Sequence, residues 1–443
     1  MRADCLVRGE YLLTMDAEGR LLRDGALAVK DGKIARVGSF SELRKAFETE
    51  EVLGGEGMAV MPGLINAHTH AAMVFMRGMA DDLPLREWLE GHIWPAEGRW
   101  LSPEFVRDAV ELAALEMLLA GVTTFHDMYF FEEEAARVAR RMGIRAVLGA
   151  GVVDFPTRTT SGADDCLRKA EALIEALKGD GLVTPAVAPH SAYACSAETL
   201  KKVRDLSMRH GVLVHIHVSE TEWEVAEMMS KHGRRPVEYL EGLGFLGRNV
   251  LAAHAVWVSE GEIELMVRKG VGVAHCPESN LKLASGVAPV PRMLHAGLTV
   301  ALGTDGAASN NDLSILGEVS TASRLHKAMA KDPTALGCRT ALLMATRWGA
   351  EALGLTQVGS LEPGKVADLI ILDLRKPHLT PLYDVCSHLV YSARPSDVDT
   401  VMVDGSVLVR GGRLVHGDQE EILAKARSWG ERIRAENAAP PSL

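Results

Sequence analysis

Between residues 59 and 359, eight apolar segments alternate with longer stretches of helical periodicity. Apolar runs of this length are typical of parallel strands that are buried on both faces. The segments are GLINAHTH, GVTTFHDM, IRAVLGAGVV, VTPAVAPHS, GVLVHIHVSE, NVLAAHAVW, GVGVAHCPES and TVALGTDG. Eight βα units predict an α/β fold, a (β/α)8 TIM barrel, in which reactive groups lie at the C-terminal ends of the strands.

Shorter period-2 patterns with tight turns occupy both ends of the chain. They include GALAVKDGKIARVGS near one end, and ADLIILDL and VDTVMVDGSVLVRGGRLV near the other. Alternation around Asp-Gly turns is typical of β-hairpins. Neither end alone has enough strands to bury a face. We therefore predict a discontinuous β-sandwich domain from residues 1–58 and 360–443, a metal-dependent catalytic barrel at 59–359, and a frayed tail at 436–443.

Composition argues against several classes of protein. The 443 residues carry a formal net charge of −11 without a basic run, so we expect no nucleic-acid partner. No window approaches the ~18 apolar residues of a membrane span, and the N-terminus lacks a signal-peptide core. The six cysteines form no C-x-x-C pair, which argues against a disulfide framework. These features predict a cytoplasmic protein that does not enter a membrane.

Histidine and aspartate residues stand at the ends of the predicted strands. His68 and His70 are two positions apart on one strand and therefore point the same way. His217, His254 and Asp305 end the fifth, sixth and eighth strands. We expect these side chains to meet at the mouth of the barrel. Imidazole and carboxylate together suit a borderline divalent cation, with zinc the first choice and iron, manganese or cobalt as alternatives.

His215 and His217 share one face of the fifth strand, so either could be the ligand. His217 lies nearer the mouth, and Glu220 follows it by three residues. We therefore predict that His217 binds the metal and that His215 packs one layer lower. Other histidines at strand ends or in helices are expected to be structural: His126, His275 and His295.

The motifs PGLINAHTH, HVSE and GTD, with the histidine of the sixth strand, resemble the amidohydrolase superfamily over nearly the whole chain. The resemblance implies one metal ion with four ligands: His68, His70, His217 and Asp305. It also implies that His254 orients the attacking water. Relatives with two ions usually carry a lysine at the end of strand four, where this chain has His190 in APHSAY, so a single ion is expected.

The predicted chemistry at this ion is hydrolytic. A bound cation lowers the pKa of water from about 15.7 towards about 7, so attack by a metal-bound hydroxide is expected. Asp305 would take the proton, and Glu220, on the turn after strand five, could protonate a ring nitrogen of the substrate. The carbon bearing the amino group then accepts hydroxide, and ammonia leaves. The predicted catalytic residues are therefore Glu220, His254 and Asp305.

A long segment, residues 71–97, follows the first predicted strand and is expected to form a lid or a wall of the pocket. Its methionine and aromatic side chains suit an aromatic ring or a thioether.

Parts of this segment and three later motifs have a more specific resemblance. LREWLEGHIWPAE, DFPT, APHSAY and GTDGAASNND resemble the 5′-methylthioadenosine/S-adenosylhomocysteine deaminases, a subgroup of the superfamily. By that resemblance Glu97 binds the ribose hydroxyls, and one carboxylate can accept both hydrogen bonds of a vicinal diol. Trp88 would pack on the nucleoside, His190 would contact the ribose or base, and Ser309 would line the pocket.

The predicted function is hydrolytic deamination of 5′-modified adenosines to the inosine analogue and ammonia. The candidate substrates are 5′-methylthioadenosine, S-adenosylhomocysteine and adenosine. Relatives that use S-adenosylhomocysteine offer its carboxylate an arginine after strand three, and Arg158 is the candidate here, with Arg168 a second one. The alternative is a metal-dependent deaminase or hydrolase of a free heterocycle of the guanine or triazine type. A homo-oligomer is expected by analogy with the superfamily.

Overall fold

The computed structural model describes residues 1–438 and contains sixteen strands in two eight-stranded sheets. The prediction of a frayed tail at 436–443 falls largely outside the described residues. Within residues 1–438, no helix combines the length and the apolar character that crossing a membrane would require.

The strands, numbered along the chain, are β1 (Cys5–Leu13), β2 (Leu21–Lys30), β3 (Lys33–Ser39), β4 (Glu51–Pro62), β5 (Leu64–Thr69), β6 (Val122–Tyr129), β7 (Arg145–Val152), β8 (Val183–Pro189), β9 (Leu213–Val218), β10 (Val250–His254), β11 (Gly272–His275), β12 (Val300–Leu302), β13 (Leu369–Asp373), β14 (Val398–Val403), β15 (Ser406–Arg410) and β16 (Arg413–Leu414).

The α-helices are α1 (Phe40–Ala46), α2 (Leu85–Trp88), α3 (Trp94–Trp100), α4 (Pro103–Leu119), α5 (Glu132–Met142), α6 (Ala163–Ala176), α7 (Ala197–His210), α8 (Glu222–His232), α9 (Pro236–Gly242), α10 (Glu260–Lys269), α11 (Pro277–Lys282), α12 (Val290–His295), α13 (Ala307–Asn310), α14 (Ile315–Ala330), α15 (Cys338–Met344), α16 (Arg347–Ala352), α17 (Val385–Tyr391) and α18 (Gln419–Ala438). Short 3-10 turns lie at Ala71–Met76, Pro377–Leu379 and Pro395–Asp397, and a π-helical turn lies at Leu89–Ile93.

The eight parallel strands β5 to β12 form the predicted barrel, and each coincides with one of the eight apolar segments, although β6 runs one residue past its segment. They neighbour one another in chain order, and the α/β TIM-barrel fold is thereby confirmed. Every residue of β6 and of β10 is buried, because helices cover the outside and side chains fill the inside. Small and branched residues dominate that interior, among them Val147, Ala186 and Ala301.

The seam between β12 and β5 closes the barrel through both backbone and side chains. The Asn66 amide donates to the Thr304 hydroxyl at 2.7 Å and accepts the Thr304 N–H at 3.1 Å. One residue further on, the Asp305 N–H donates to the His68 carbonyl at 3.0 Å. The first and last strands of the barrel are therefore fixed next to each other where two predicted metal ligands lie.

The second sheet combines strands from both ends of the chain, as predicted. Its order is β16-β15-β14-β13-β4-β1-β2-β3, and of its pairs only β1 with β4 is parallel. β13 pairs antiparallel with β4, so the C-terminal strands extend a sheet that the N-terminal strands begin. Its own apolar cluster includes Val7, Leu27 and Ile371. The predicted domain limits at residues 58 and 360 stay a prediction.

One glycine joins the two sheets. β4 ends at Pro62 and β5 begins at Leu64, so the chain passes from the mixed sheet into the barrel through Gly63 alone. A Cβ atom at this position would lie 2.0 Å from the Thr123 hydroxyl oxygen. Because that distance is far below van der Waals contact, only glycine fits here.

Candidate active site and metal centre

A cavity of about 290 Å³ lies at the C-terminal ends of the barrel strands. Its floor carries the predicted metal ligands His70, His217 and Asp305, together with Glu220 and His254. The segment 71–97 supplies much of its wall, as expected, through these residues: Met73, Leu85, Trp88, Leu89, Trp94 and Glu97. An apolar wall above a polar floor is the usual arrangement of a small-molecule site.

The four predicted ligands converge on one point. The His70 Nε2 atom lies 3.2 Å and the His68 Nε2 atom 3.3 Å from the Asp305 Oδ1 atom. The His217 Nε2 atom lies 3.3 Å from that of His70. Donor atoms of His68, His217 and His254 also lie within 4.8 Å of one another. All of these groups are buried or nearly so, and they could share one ion.

The orientations of two ligand histidines follow from backbone carbonyls. The His70 Nδ1–H donates to the Met128 carbonyl at 2.7 Å, and the His217 Nδ1–H donates to the His190 carbonyl at 2.7 Å. A carbonyl oxygen can only accept a hydrogen bond, so each ring is fixed as the Nδ1–H tautomer. Both Nε2 lone pairs are then free to bind a cation.

The surroundings of the His68 Nε2 atom indicate whether the four predicted ligands are suited to a metal ion. The atom is fully buried and has no hydrogen-bond partner among the described residues, since its contact with Asp305 lacks hydrogen-bond geometry. An unpartnered buried nitrogen costs free energy unless something binds it. Three imidazoles and a carboxylate also form a donor set that zinc prefers. The residues present therefore fit a divalent cation.

Asp305 is held as an ionised carboxylate. Its Oδ2 atom accepts hydrogen bonds from the Ser279 hydroxyl at 2.6 Å and the Ser309 hydroxyl at 2.8 Å. Burial opposes the charge, but close contacts with His68 and His70 outweigh burial and hold the pKa of Asp305 well below its usual value. Ser309, expected to line the pocket, lies behind Asp305 and outside the lining of the cavity.

Glu220 and His254 lie side by side at the edge of the ligand cluster. The Glu220 carboxylate is buried, and burial first, then the charge of Asp305, raise its pKa to about 8. Its Oε2 atom lies 3.8 Å from the His254 Nε2 atom. On the other side of the ring, the Asn280 side-chain amide lies 3.0 Å from the His254 Nδ1 atom. Burial lowers the pKa of His254 to about 4, so the ring is neutral at pH 7.

Glu97 lies in the wall of the cavity on α3. The Tyr129 hydroxyl donates to its Oε1 atom at 2.7 Å, and burial raises the pKa of Glu97 to about 7. Trp88 lines the same wall and is fixed by a hydrogen bond from its indole N–H to the Ala80 carbonyl at 3.1 Å. A carboxylate and an indole ring thus face the cavity together.

The remaining predicted residues occupy different places. His190 lines the cavity, with its ring centroid 4.6 Å from that of His217. Arg158 is exposed, lines the cavity and donates to the Gly98 carbonyl at 3.0 Å at the end of α3. Arg168 pairs with Asp165 on the outer face of α6 and does not line the cavity. Arg158 is therefore the arginine of the two that could reach a ligand.

The sequence reasoning missed three residues that contact the site. Ser279 and Asn280 follow the end of β11 and contact Asp305 and His254, and Tyr129 ends β6 and contacts Glu97. All three stand at or just after the C-terminal end of a barrel strand. The rule that selected the histidines would have selected Tyr129, had it been applied to hydroxyl side chains, whereas Ser279 and Asn280 lie four and five residues past β11, in the helix α11.

Comparison with known proteins gives a consistent result. A profile of the Amidohydrolase family matches residues 59–408. The 5-methylthioadenosine/S-adenosylhomocysteine deaminase of Thermodesulfovibrio yellowstonii is 51% identical over 97% of this chain and 98% of its own length. The 5′-deoxyadenosine deaminase of Methanosarcina acetivorans is 46% identical over 98% of this chain and 99% of its own length.

Solved structures agree with these sequence matches. An adenosine deaminase from Xanthomonas campestris with bound zinc has a TM-score of 0.96 at 40% identity, covering 98% of this chain and 99% of that one. The atrazine chlorohydrolase of Arthrobacter aurescens complexed with zinc has a TM-score of 0.90 at 28% identity, covering 96% of this chain and 100% of that one.

Proposed function

The chain belongs to the amidohydrolase family, and from this membership we propose that it catalyses the hydrolytic deamination of 5′-modified adenosines. The products are ammonia and the inosine analogue, and 5′-methylthioadenosine is the first candidate substrate. One observation carries the proposal: a single cavity joins the histidine–aspartate cluster and Glu220 to the buried carboxylate of Glu97. The groups suited to the reaction and the carboxylate suited to binding a ribose therefore line the same cavity.

We propose that one divalent ion, zinc in the first instance, is held by four residues: His68, His70, His217 and Asp305. The unpartnered Nε2 atom of His68 and the fixed tautomers of His70 and His217 support this assignment. The zinc in the solved relatives supports the choice of metal. When bound, the ion supplies Lewis acidity, which makes water a competent nucleophile near neutral pH.

Asp305 and His254 control the proton and the position of the attacking water. Asp305 accepts the proton that the water loses, because the carboxylate is ionised and serine hydroxyls fix its position. His254 is neutral, and Asn280 lies on its Nδ1 side, so its Nε2 side faces Glu220 and the ligand cluster. From there His254 orients the water by a hydrogen bond.

Glu220 activates the substrate. With a pKa of about 8 it is protonated at neutral pH and can donate that proton to the ring nitrogen beside the carbon that bears the amino group. A C–O bond to water forms at this carbon. The proton taken up by Asp305 passes to the amino group, the C–N bond breaks and ammonia leaves, while the hydroxyl on this carbon returns its proton to Glu220 and becomes the carbonyl of the inosine analogue.

Three further residues hold the nucleoside in this proposal. Glu97 accepts hydrogen bonds from the ribose 2′- and 3′-hydroxyls, while Tyr129 fixes the carboxylate through its Oε1 atom. Trp88 packs on the nucleoside and His190 contacts the ribose or base. Arg158, at the exposed side of the cavity, is the group available to the 5′ substituent.

An ammonia-release assay on zinc-loaded protein tests the function. The panel is 5′-methylthioadenosine, 5′-deoxyadenosine, S-adenosylhomocysteine, adenosine, 2′-deoxyadenosine, adenine and guanine. We expect turnover of the nucleosides with an intact ribose diol, weak turnover of 2′-deoxyadenosine and none of the free bases. Guanine as the best substrate would overturn the proposal.

A second candidate is hydrolysis of a free heterocycle, and the likeness to the triazine hydrolase fold favours it. The same metal cluster and Glu220 would serve that chemistry, but Glu97 would have no ribose to bind. Replacing Glu97 by glutamine separates the candidates, because a nucleoside enzyme would lose much of its kcat/KM and a free-base enzyme would not.

A further inference from the structure

The three ligand histidines are oriented by partners of two different kinds. His70 and His217 donate their Nδ1–H groups to backbone carbonyls, which can only accept. The Nδ1 atom of His68 instead lies 3.0 Å from the Nε2 atom of another imidazole, that of His215. An imidazole nitrogen can donate or accept, depending on its tautomer. The state of His68 therefore depends on the state of its neighbour.

We propose that His215 is a positioning residue that holds His68 in the tautomer able to bind the metal. The inference rests on the proposed metal site. For His68 to bind an ion through Nε2, its proton must lie on Nδ1, and His215 must accept that proton's hydrogen bond through a bare Nε2 atom. His215 then carries its own proton on Nδ1, which is buried without a hydrogen-bond partner among the described residues. This assigns to His215 a role beyond the packing expected from the sequence.

The surroundings of His215 agree with this role. The residue is fully buried on β9, two positions before the ligand His217, so the same strand carries a ligand and the partner of another ligand. Its ring is nearly perpendicular to that of His68, with an interplanar angle of 82° and centroids 4.7 Å apart. In this edge contact a nitrogen of each ring faces the other.

A second buried imidazole provides an internal comparison. The ring of His126 lies on that of His215, with centroids 4.0 Å apart, in the interior of the barrel. Neither nitrogen of His126 has a hydrogen-bond partner among the described residues. His126 therefore shares the burial and the packing of His215 but makes no hydrogen bond to a ligand histidine. A substitution of His126 removes packing alone, whereas a substitution of His215 removes packing and the contact with His68. The two contributions can therefore be measured separately.

The test compares two substitutions of similar size at one position. In His215→Gln, the side-chain amide reaches the place of the imidazole Nε2 atom and can still accept from His68. In His215→Asn, the amide ends near the place of Nδ1 and falls short. The matched control is His126→Asn. Zinc affinity of each protein is measured by competition with a chromophoric chelator, without reference to activity, and thermal unfolding of the metal-free proteins checks folding.

We expect His215→Asn to weaken zinc binding by about 10- to 100-fold, the usual effect of removing the hydrogen-bond partner of a ligand histidine. His215→Gln should recover most of that loss, and His126→Asn should bind zinc as the unchanged protein does. Unchanged affinity in His215→Asn would overturn the inference. So would an equal loss in all three variants, because the role would then be packing alone. Failure of the unchanged protein to bind zinc would overturn the proposed metal site itself.

Discussion

The two ends of the barrel bury charged and ionisable side chains in opposite ways. At the N-terminal end, Arg145 of β7 forms a two-pronged ion pair with Asp368, with the Nε–Oδ2 distance 2.7 Å and the Nη2–Oδ1 distance 3.2 Å. The Nη1–H group of Arg145 donates to the Gly181 carbonyl, and Asp368 also accepts the Asp404 N–H at 2.8 Å. This ion pair is satisfied entirely by the protein and joins the barrel to the second sheet.

At the C-terminal end the protein satisfies some of the buried polar groups and leaves others incomplete. The Nε2 atom of His68 is buried without a hydrogen-bond partner among residues 1–438, and the carboxyl groups of Glu97 and Glu220 have raised pKa values because burial disfavours their charge. Groups left incomplete in this way indicate a ligand. Substitutions at the two ends of the barrel should therefore affect different quantities. At the mouth they should alter ligand binding and catalysis, and at the base they should alter the free energy of unfolding.

The largest effect is expected for Asp305→Asn at the mouth. The change removes a proposed metal ligand that is also the proposed proton acceptor, so kcat/KM should fall by about 10⁴-fold and zinc binding should be lost. Steady-state kinetics and metal analysis of the purified protein measure both quantities. A variant that keeps its zinc and its activity would contradict the role given to Asp305.

At the base, Arg145→Met should lower the free energy of unfolding by about 3–5 kcal/mol, because it leaves the Asp368 carboxylate buried without its partner. Activity per folded molecule should not change. Denaturant unfolding and active-site titration measure the two quantities. The control is Arg292→Met, which breaks an exposed ion pair with Glu260 and should cost less than about 1 kcal/mol. If both variants lost the same free energy of unfolding, the buried ion pair at the base of the barrel would contribute no more to stability than an exposed one.

Glu220→Gln should lower kcat by about 10²- to 10³-fold with little change in stability, because an amide cannot transfer the required proton. The pH profile sharpens this prediction. In the proposed mechanism the protonated form of Glu220 is the active one, and burial raises its pKa to about 8, so kcat/KM should fall as the pH rises through about 8. That decline should be missing from the residual activity of the variant. If kcat/KM of the variant still fell as the pH rose through about 8, the ionisation would belong to another group.

The smallest effect is expected for Glu97→Gln. The loss of a charge-assisted hydrogen bond to the diol should reduce kcat/KM for 5′-methylthioadenosine by about 10- to 100-fold. Because 2′-deoxyadenosine already lacks one of these hydroxyls, its kcat/KM should fall by less. Equal losses for the two substrates would show that the carboxylate supports the wall of the cavity and does not bind the diol.

The sequence predicts the parts of this molecule that follow from local patterns. Strand periodicity locates all eight barrel strands, and the position of His68, His70 and Asp305 at strand ends brings them together in the structure. The fold class and the deaminase family follow from the same motifs. Residues next to strand ends inherit their position from the barrel, so their location is readable without knowledge of the packing.

Contacts that depend on how separate elements pack are not readable in this way. Ser279 was not identified from the sequence, and its hydroxyl reaches Asp305 from the short helix α11, 26 residues earlier in the chain. His215 was expected only to pack, and its contact with His68 depends on how β5 and β9 face each other across the barrel. Such pairs join residues far apart in the chain, and no local pattern records them.

The seam between β5 and β12 has a consequence for the order in which the protein matures. His68 and Asp305 stand on opposite sides of this seam, and their backbone hydrogen bond joins the first barrel strand to the segment after the last. During synthesis, the three imidazoles leave the ribosome well before the carboxylate does. With the proposed ligand set, a nascent chain holds the ion only loosely until residue 305 has left the ribosome. Tight binding of the ion would then coincide with closure of the barrel between β5 and β12.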